Sequence, residues 1–181
     1  MRYPVWMVLV CTAVMCFAGD AEGVEVKAAG GLVLDPSRWG GHVSVEIPLG
    51  DTYPTYIAPF FELYRKDGVN LIPTGLSLIY KAPFTQLVGT IYFGVGGGVV
   101  MTRGTVGALT ITDPILGTIT FPEFDVSSTD PVITVGGGVR FDLSETLGVF
   151  VQTRWFRAFK SNSRSEVALH AGLRFQLGEE E

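Results

Sequence analysis

"SEVALHAGLRFQLG" runs from Ser165 to Gly178. In an extended strand its side chains alternate between two faces. Val167, Leu169, Ala171, Leu173, Phe175 and Leu177 share one face. Glu166, Ala168, His170, Gly172, Arg174 and Gln176 share the other. A water-soluble barrel, such as a lipocalin, turns the apolar face inward. A membrane barrel turns it toward lipid and encloses the polar one. The fold rests on which face is inside.

The same period of two recurs from Val24 onward, and no segment beyond the N-terminal region has a helical period. Eight strands are expected: 24–34, 38–49, 55–66, 70–81, 88–102, 132–143, 147–157 and 164–177. Turn chemistry separates them, at "DPS" 35–37, "GD" 50–51, "KDG" 66–68, "KAP" 81–83, "DLSET" 142–146 and "SNS" 161–163. The strands exceed the ~5–6 residues of soluble strands and are long enough for the ~9–11 of tilted membrane strands. Pro59 and Pro73 fall inside two of them, where bulges or shorter strands are expected, because every backbone donor in a membrane barrel needs a partner.

The N-terminus gives the compartment. Arg2 precedes the uncharged apolar stretch 4–18, and small residues follow it. Residues 1–21 read as a secretory signal peptide, too short for a spanning helix of ~20 apolar residues. Cys11 and Cys16 both lie in that leader, so the remaining chain has no thiol for disulfides or metal ligation. Charged residues are 17% of the chain, below the ~25% of soluble proteins. The net charge of −5 argues against nucleic acid.

Register decides between the two barrels. In 89–101, Thr90, Tyr92, Gly94, Gly96 and Gly98 oppose Ile91, Phe93, Val95, Val99 and Met101. Glycine gains nothing on a wetted face. Inside a narrow barrel it makes room for large groups, here expected from the opposite wall: Tyr64, Tyr92, Phe150, Arg154 and Phe156. A one-residue slip would send Arg140, Arg154 and Arg174 into hydrocarbon, costing on the order of 6–12 kcal/mol. The apolar face therefore looks outward, with Trp39, Tyr80, Trp155 and Phe175 near the two interfaces. The sequence predicts an all-β fold, an eight-stranded antiparallel up-and-down transmembrane β-barrel over residues 22–181. With the N-terminus in the periplasm, the long 103–130 connection is external. Within it, 108–112 and 118–124 flank "DPILG" as a hairpin rising above the barrel rather than two more membrane strands.

"LIPTGLSLIYKAP" (71–83) followed by "TIYFGVGGGVV" (90–100) resembles small bacterial outer-membrane barrels of the OmpA-like and opacity-like type. Members pair a Pro-containing strand ending in Tyr with a strand carrying alternate glycines. "VGGGVRFDLSETLGVFVQTRW" (135–155) resembles their next hairpin, and the closing strand their assembly signal. The resemblance implies a Gram-negative outer membrane, contact with its lipid and lipopolysaccharide, and insertion by the outer-membrane assembly machinery. One departure is that "QLGEEE" follows Phe175, where members end on an aromatic residue. The periplasmic peptidoglycan-binding domain of longer relatives is not expected here.

Glu25, Lys27, Glu46, Glu62, Arg140, Asp142, Arg154, Glu166 and Arg174 share the enclosed face. Buried charges persist when paired, so an ion-pair network plugging the lumen is expected. A small-solute, porin-like channel gated by switching pairs is the alternative. "HVSVE" aligns His42, Ser44 and Glu46, a serine-hydrolase inventory that lipid A-modifying barrels could use. Neighbours two apart on one strand lie ~7 Å apart, too far for nucleophile and base, so no catalytic residues are expected. His42 and His170 can approach across Ala29 and Gly31, but the absence of an evident third ligand argues against a metal centre. No cofactor is expected. The 105–130 segment, with Leu116, Ile119 and Phe121, offers a surface for a partner by strand addition. The expected role is non-enzymatic, structural or surface-interacting; a soluble lipocalin-like binding barrel ranks below the channel.

Overall fold

The computed structural model describes residues 23–35, 37–50, 54–83, 89–113, 117–159 and 163–177. The segment expected to be a leader, Pro36, Asp51, Leu116, parts of the "DPILG" and "SNS" turns and the end of the chain lie outside them. The described strands are β1 (Val24–Leu34), β2 (Ser37–Pro48), β3 (Thr55–Lys66), β4 (Val69–Pro83), β5 (Gly89–Val106), β6 (Leu109–Asp113), β7 (Gly117–Phe121), β8 (Phe124–Asp142), β9 (Leu147–Ala158) and β10 (Arg164–Leu177). Eight of them close a barrel in the order β1-β10-β9-β8-β5-β4-β3-β2, while β6 and β7 pair separately. The expected hairpin forms without adding strands to the wall.

The register sets the barrel's dimensions. Stepping across partners from Gly89 passes Phe141, Val149, Leu173, Ala28, Val43, Phe61 and Thr74, and returns to β5 at Val99. One circuit therefore advances ten residues along the strand. Eight strands with that stagger tilt by about 40°. A twelve-residue strand then rises roughly 30 Å, the thickness of a bilayer's hydrocarbon core.

Side-chain burial is inside out. Trp39 is 72% exposed, Phe93 59% and Val151 55%, while Lys27 and Glu62 are fully enclosed. Trp39 and Trp155 lie toward the hairpin end of their strands, Tyr80 and Phe175 toward the opposite end, all on the outer face. Tyr80 also stacks at a tilt on Phe93, with ring centroids 5.4 Å apart.

Several sequence expectations change. The prolines neither bulge nor shorten a strand. The β2–β3 ladder breaks at Ala58 and Pro59, and the β3–β4 ladder at Glu62, Leu63, Ile72 and Pro73, yet each resumes in unchanged register. Each ring thus sits where one ladder skips two successive pairs, and no residue is inserted. "KAP" is no turn, because β4 continues through Pro83 and carries Lys81 into the lumen. The 103–130 connection is mostly strand, since β5 and β8 stay paired out to Val106 and Phe124. The β3–β4 turn does follow its sequence signal. Asp67 (φ 50°) and Gly68 (φ 78°) are both left-handed, as a two-residue type I′ turn requires.

The lumen glycines relieve neighbours rather than the opposite wall. Gly31 pairs with His170, Gly40 with Tyr64 and Gly138 with Tyr92, each across one ladder. A Cβ at Gly40 would lie 2.6 Å from Tyr64 Cδ1, and one at Gly138 would lie 2.8 Å from the Tyr92 hydroxyl. The large side chain lies down over the bare backbone beside it. Gly96 and Gly98 instead lie against β4 backbone, at the carbonyls of Leu76 and Thr74.

Candidate functional site

All eight wall strands deliver polar side chains to one enclosed column, in three tiers separated by apolar packing. At the hairpin end Glu166 binds two guanidiniums, Arg38 Nη1 at 3.0 Å and Arg164 Nε at 3.1 Å. Arg164 also donates to Thr102 Oγ1 at 3.1 Å. Beneath this tier Val33, Leu71, Val100, Val132, Phe156, Ala158 and Ala168 cluster around the Tyr64 ring. That apolar layer separates the Glu166 tier from the tier below it.

The middle tier is built on Glu62. His42 Nδ1 lies 3.0 Å from Glu62 Oε1, and Tyr64 donates its hydroxyl to Oε2 at 2.9 Å. His170 Nε2 meets the Tyr64 hydroxyl at 2.5 Å, and its Nδ1 faces Gln152 Nε2 at 3.3 Å. Tyr92 donates to Gln152 Oε1 at 3.2 Å, and Ser44 Oγ is 3.0 Å from His42 Nε2. One proton assignment satisfies every group with both histidines neutral. Ser44 donates to His42 Nε2, and His42 Nδ1–H donates to Glu62. Tyr64 spends its single proton on Glu62 and accepts from His170 Nε2–H. Gln152 donates to His170 Nδ1. Arg154 supplies the counter-charge, 3.4 Å from Glu62 Oε1, with its guanidinium over the Phe60 ring at 4.2 Å.

The third tier, at the opposite end, is the densest in charge. Glu46 takes Lys27 Nζ at 2.6 Å and Lys81 Nζ at 2.8 Å. Glu25 takes Lys81 and Arg140 at 2.8 Å each and Arg174 at 3.3 Å. Arg140 reaches on to Asp142 at 3.0 Å and to Thr90 Oγ1 at 3.2 Å. Arg174 also donates to Gln176 and to the Glu145 carbonyl. Lys27 lies over the Tyr92 ring, 3.8 Å from its centroid, so aromatic faces share its charge. Tyr92, Ile79, Ala58 and Phe150 form the apolar layer between this tier and the middle one. A cavity of about 20 Å³ beside Tyr92, Gln152 and Arg154 has room for a single water.

All nine charged residues expected at the enclosed face are in the lumen, but in three groups rather than one network. Glu166 stands apart at the hairpin end, Glu62 and Arg154 in the middle, and the other six together. Sequence reasoning missed Lys81, Arg38 and Arg164. Lys81 shares the register of Ser77 and Ile79, a signal obscured by reading "KAP" as a turn. It also misjudged "HVS". The backbone positions are two apart, but the imidazole leans along the strand and reaches the hydroxyl. Ser44, His42 and Glu62 therefore form a hydrogen-bonded series in the order of a hydrolase triad. The series is enclosed on all sides: Ser44 is 3% exposed.

No protein-family model matches this sequence, and no curated protein matches it. Solved structures do match by fold. The N-terminal β-barrel domain of Pseudomonas aeruginosa OprF superposes with a TM-score of 0.60 at 17% identity, covering 87% of this chain and 98% of that one. Neisserial surface protein A superposes at 0.59 with 17% identity, covering 85% and 96%. At such identities the shared property is the fold, that of the small eight-stranded outer-membrane barrels.

Proposed function

We propose that this chain is a non-enzymatic structural barrel of the bacterial outer membrane, with its lumen plugged by buried ion pairs and a hairpin presented at the cell surface. The observation that carries the reading is the inversion of polarity: an exposed wall of Leu, Val, Ile and Phe around a column of buried Glu, Lys and Arg. Water outside would leave that wall wetted and those charges desolvated, whereas hydrocarbon outside reverses the first penalty. The charges on the outer face support the orientation. Along the eight wall strands below the β5–β8 extension, the described outward-pointing charges are Arg65, Arg103 and Arg157, all toward the hairpin end. Cations there suit an outer leaflet of phosphorylated lipopolysaccharide. Arg65, Asn70, Arg103 and Ser127 follow one another across β3, β4, β5 and β8. An open groove borders the last three of them.

The β6–β7 hairpin pairs as a two-stranded sheet apart from the wall, a form that a surface partner can join by strand addition. The backbone pairs from Leu109–Phe121 to Asp113–Gly117. Insertion by the assembly machinery belongs to the same reading, as does cleavage of a leader after Ala18 or Ala21.

The porin-like alternative needs a water path, and the apolar tiers around Phe156 and Phe150 oppose one. In planar bilayers the protein is expected to insert without steady openings, and unboiled samples are expected to migrate on gels apart from boiled ones. Steady conductance abolished by Arg154→Gln would overturn the plug and establish a channel. Release from cells without detergent would overturn the membrane assignment. Ser44→Ala is expected to leave the lipid A mass spectrum unchanged; a change would make the chain an enzyme.

A further inference from the structure

His42 and His170 extend from β2 and β10, which flank β1, and their rings come within 5.0 Å of each other over Ala29 and Gly31. Glu62 supplies what the sequence did not disclose, an oxygen facing both. One ligand atom from each of His42, Glu62 and His170 lies within 4.8 Å of the other two, and all three residues are buried. Glu62 Oε1 is 3.0 Å from His42 Nδ1 and 4.0 Å from His170 Nε2. A tetrahedral centre with ~2.0–2.1 Å bonds spaces its ligands by about 3.3 Å, between those two values.

We propose that His42, Glu62 and His170 form an intraluminal site for one divalent transition cation of borderline softness, such as Zn²⁺ or Co²⁺. Two imidazoles and one carboxylate suit such ions, and all-oxygen cation sites are of a different kind. The Tyr64 hydroxyl, 2.5 Å from His170 Nε2 and 2.9 Å from Glu62 Oε2, borders the same space and provides the fourth position directly or through a water.

Binding requires a lone pair at His42 Nδ1 and another at His170 Nε2, so each ring must carry its proton on the other nitrogen. The structure holds an acceptor at each. Ser44 Oγ, 3.0 Å from His42 Nε2, changes from donor to acceptor by rotating its hydroxyl. Gln152 does the same for His170 Nδ1 by turning its amide over, and Tyr92 then accepts from the amide. Such outer partners fix the tautomer of metal-bound imidazoles. No proton leaves the pair of rings; each moves to its opposite nitrogen. The opposing element is Arg154, whose guanidinium lies 3.4 Å from the ligating carboxylate. It competes with the metal for Glu62, so it sets the affinity. This inference rests on the packing of the lumen and not on the proposed function.

The test uses protein purified in detergent, unfolded in urea and refolded with and without Co²⁺ or Zn²⁺, so that closure of the lumen does not bar access. One equivalent of Co²⁺ is expected per chain, with visible absorption bands that Zn²⁺ displaces. His170→Gln and His42→Gln should abolish the bands, and Ser44→Ala should weaken binding about tenfold. Arg154→Gln should tighten it, an effect that a merely structural role for these residues does not produce. The unboiled gel shift reports whether each variant has folded. Absence of stoichiometric Co²⁺ or Zn²⁺ in the wild-type barrel would overturn the proposal, as would bands that survive in the folded His170→Gln barrel. If neither histidine variant folds, the wild-type spectrum and the Ser44→Ala and Arg154→Gln shifts decide alone.

Discussion

Replacing Glu46 by alanine is expected to destabilise the barrel by about 3–5 kcal/mol. Glu46 is the counter-ion of two buried ammonium groups, Lys27 at 2.6 Å and Lys81 at 2.8 Å. Its loss leaves Lys27 with aromatic faces and more distant carboxylates, and Lys81 with Glu25 and the Tyr56 ring. The cost of an uncompensated buried charge far exceeds the worth of the intact pair, because desolvation has already offset most of the pair's attraction. Reversible urea unfolding of the refolded protein in detergent micelles measures it. Asp142→Ala is the contrast. That carboxylate pairs with Arg140 and Arg174 at a partly open end, where its side chain keeps 24% exposure, and its partners retain Glu25. Solvent screens it, so about 1 kcal/mol or less is expected. Equal losses from the two substitutions would mean that the tier is wet throughout.

The outer face carries the second large effect. Val95 in β5 and Val151 in β9 point outward, 53% and 55% exposed, near the middle of their wall segments. Arginine at either is expected to cost about 2–4 kcal/mol in a lipid bilayer. The two positions lie on strands separated by β8, so the double substitution should cost roughly 4–8 kcal/mol. Unfolding titrations from vesicles measure this. Arg65, Arg103 and Arg157 already occupy the same face without such a penalty, because they lie toward its rim. A water-soluble barrel predicts the opposite outcome, since an arginine replacing an exposed valine would be nearly neutral.

Alternation alone carried the fold. The residues from Ser165 to Leu177 separate into a lipid face and a lumen face with no exception, and a slip of one position would exchange them. The Asp67-Gly68 turn needed only local chemistry. What the sequence withheld was partnership. Glu25 meets Arg174 across 149 residues because closure sets β1 beside β10, and no local pattern encodes which tier a charge joins. Lys81 was hidden by the prolines and turn-like residues around it, although its parity marked it as enclosed. Glu62 as the neighbour of both histidines depends on side chains that converge from β2, β3 and β10, a consequence of barrel curvature and not of spacing. The glycines were read correctly as space and wrongly as to whose space. Gly31 serves His170 on the adjacent strand, because a side chain in a narrow barrel lies over its neighbour before it reaches the far wall.

The central claim is that hydrocarbon contacts the apolar wall while the charged column stays closed off. A carbene-generating photolabel confined to the lipid phase of vesicles, read by peptide mass spectrometry on the wild-type chain, tests it most directly. Val151, Leu169 and Phe93 are expected to be modified, and Arg154, His170 and Tyr92 spared. Label on Arg154 or His170, with Val151 and Leu169 untouched, would contradict the account.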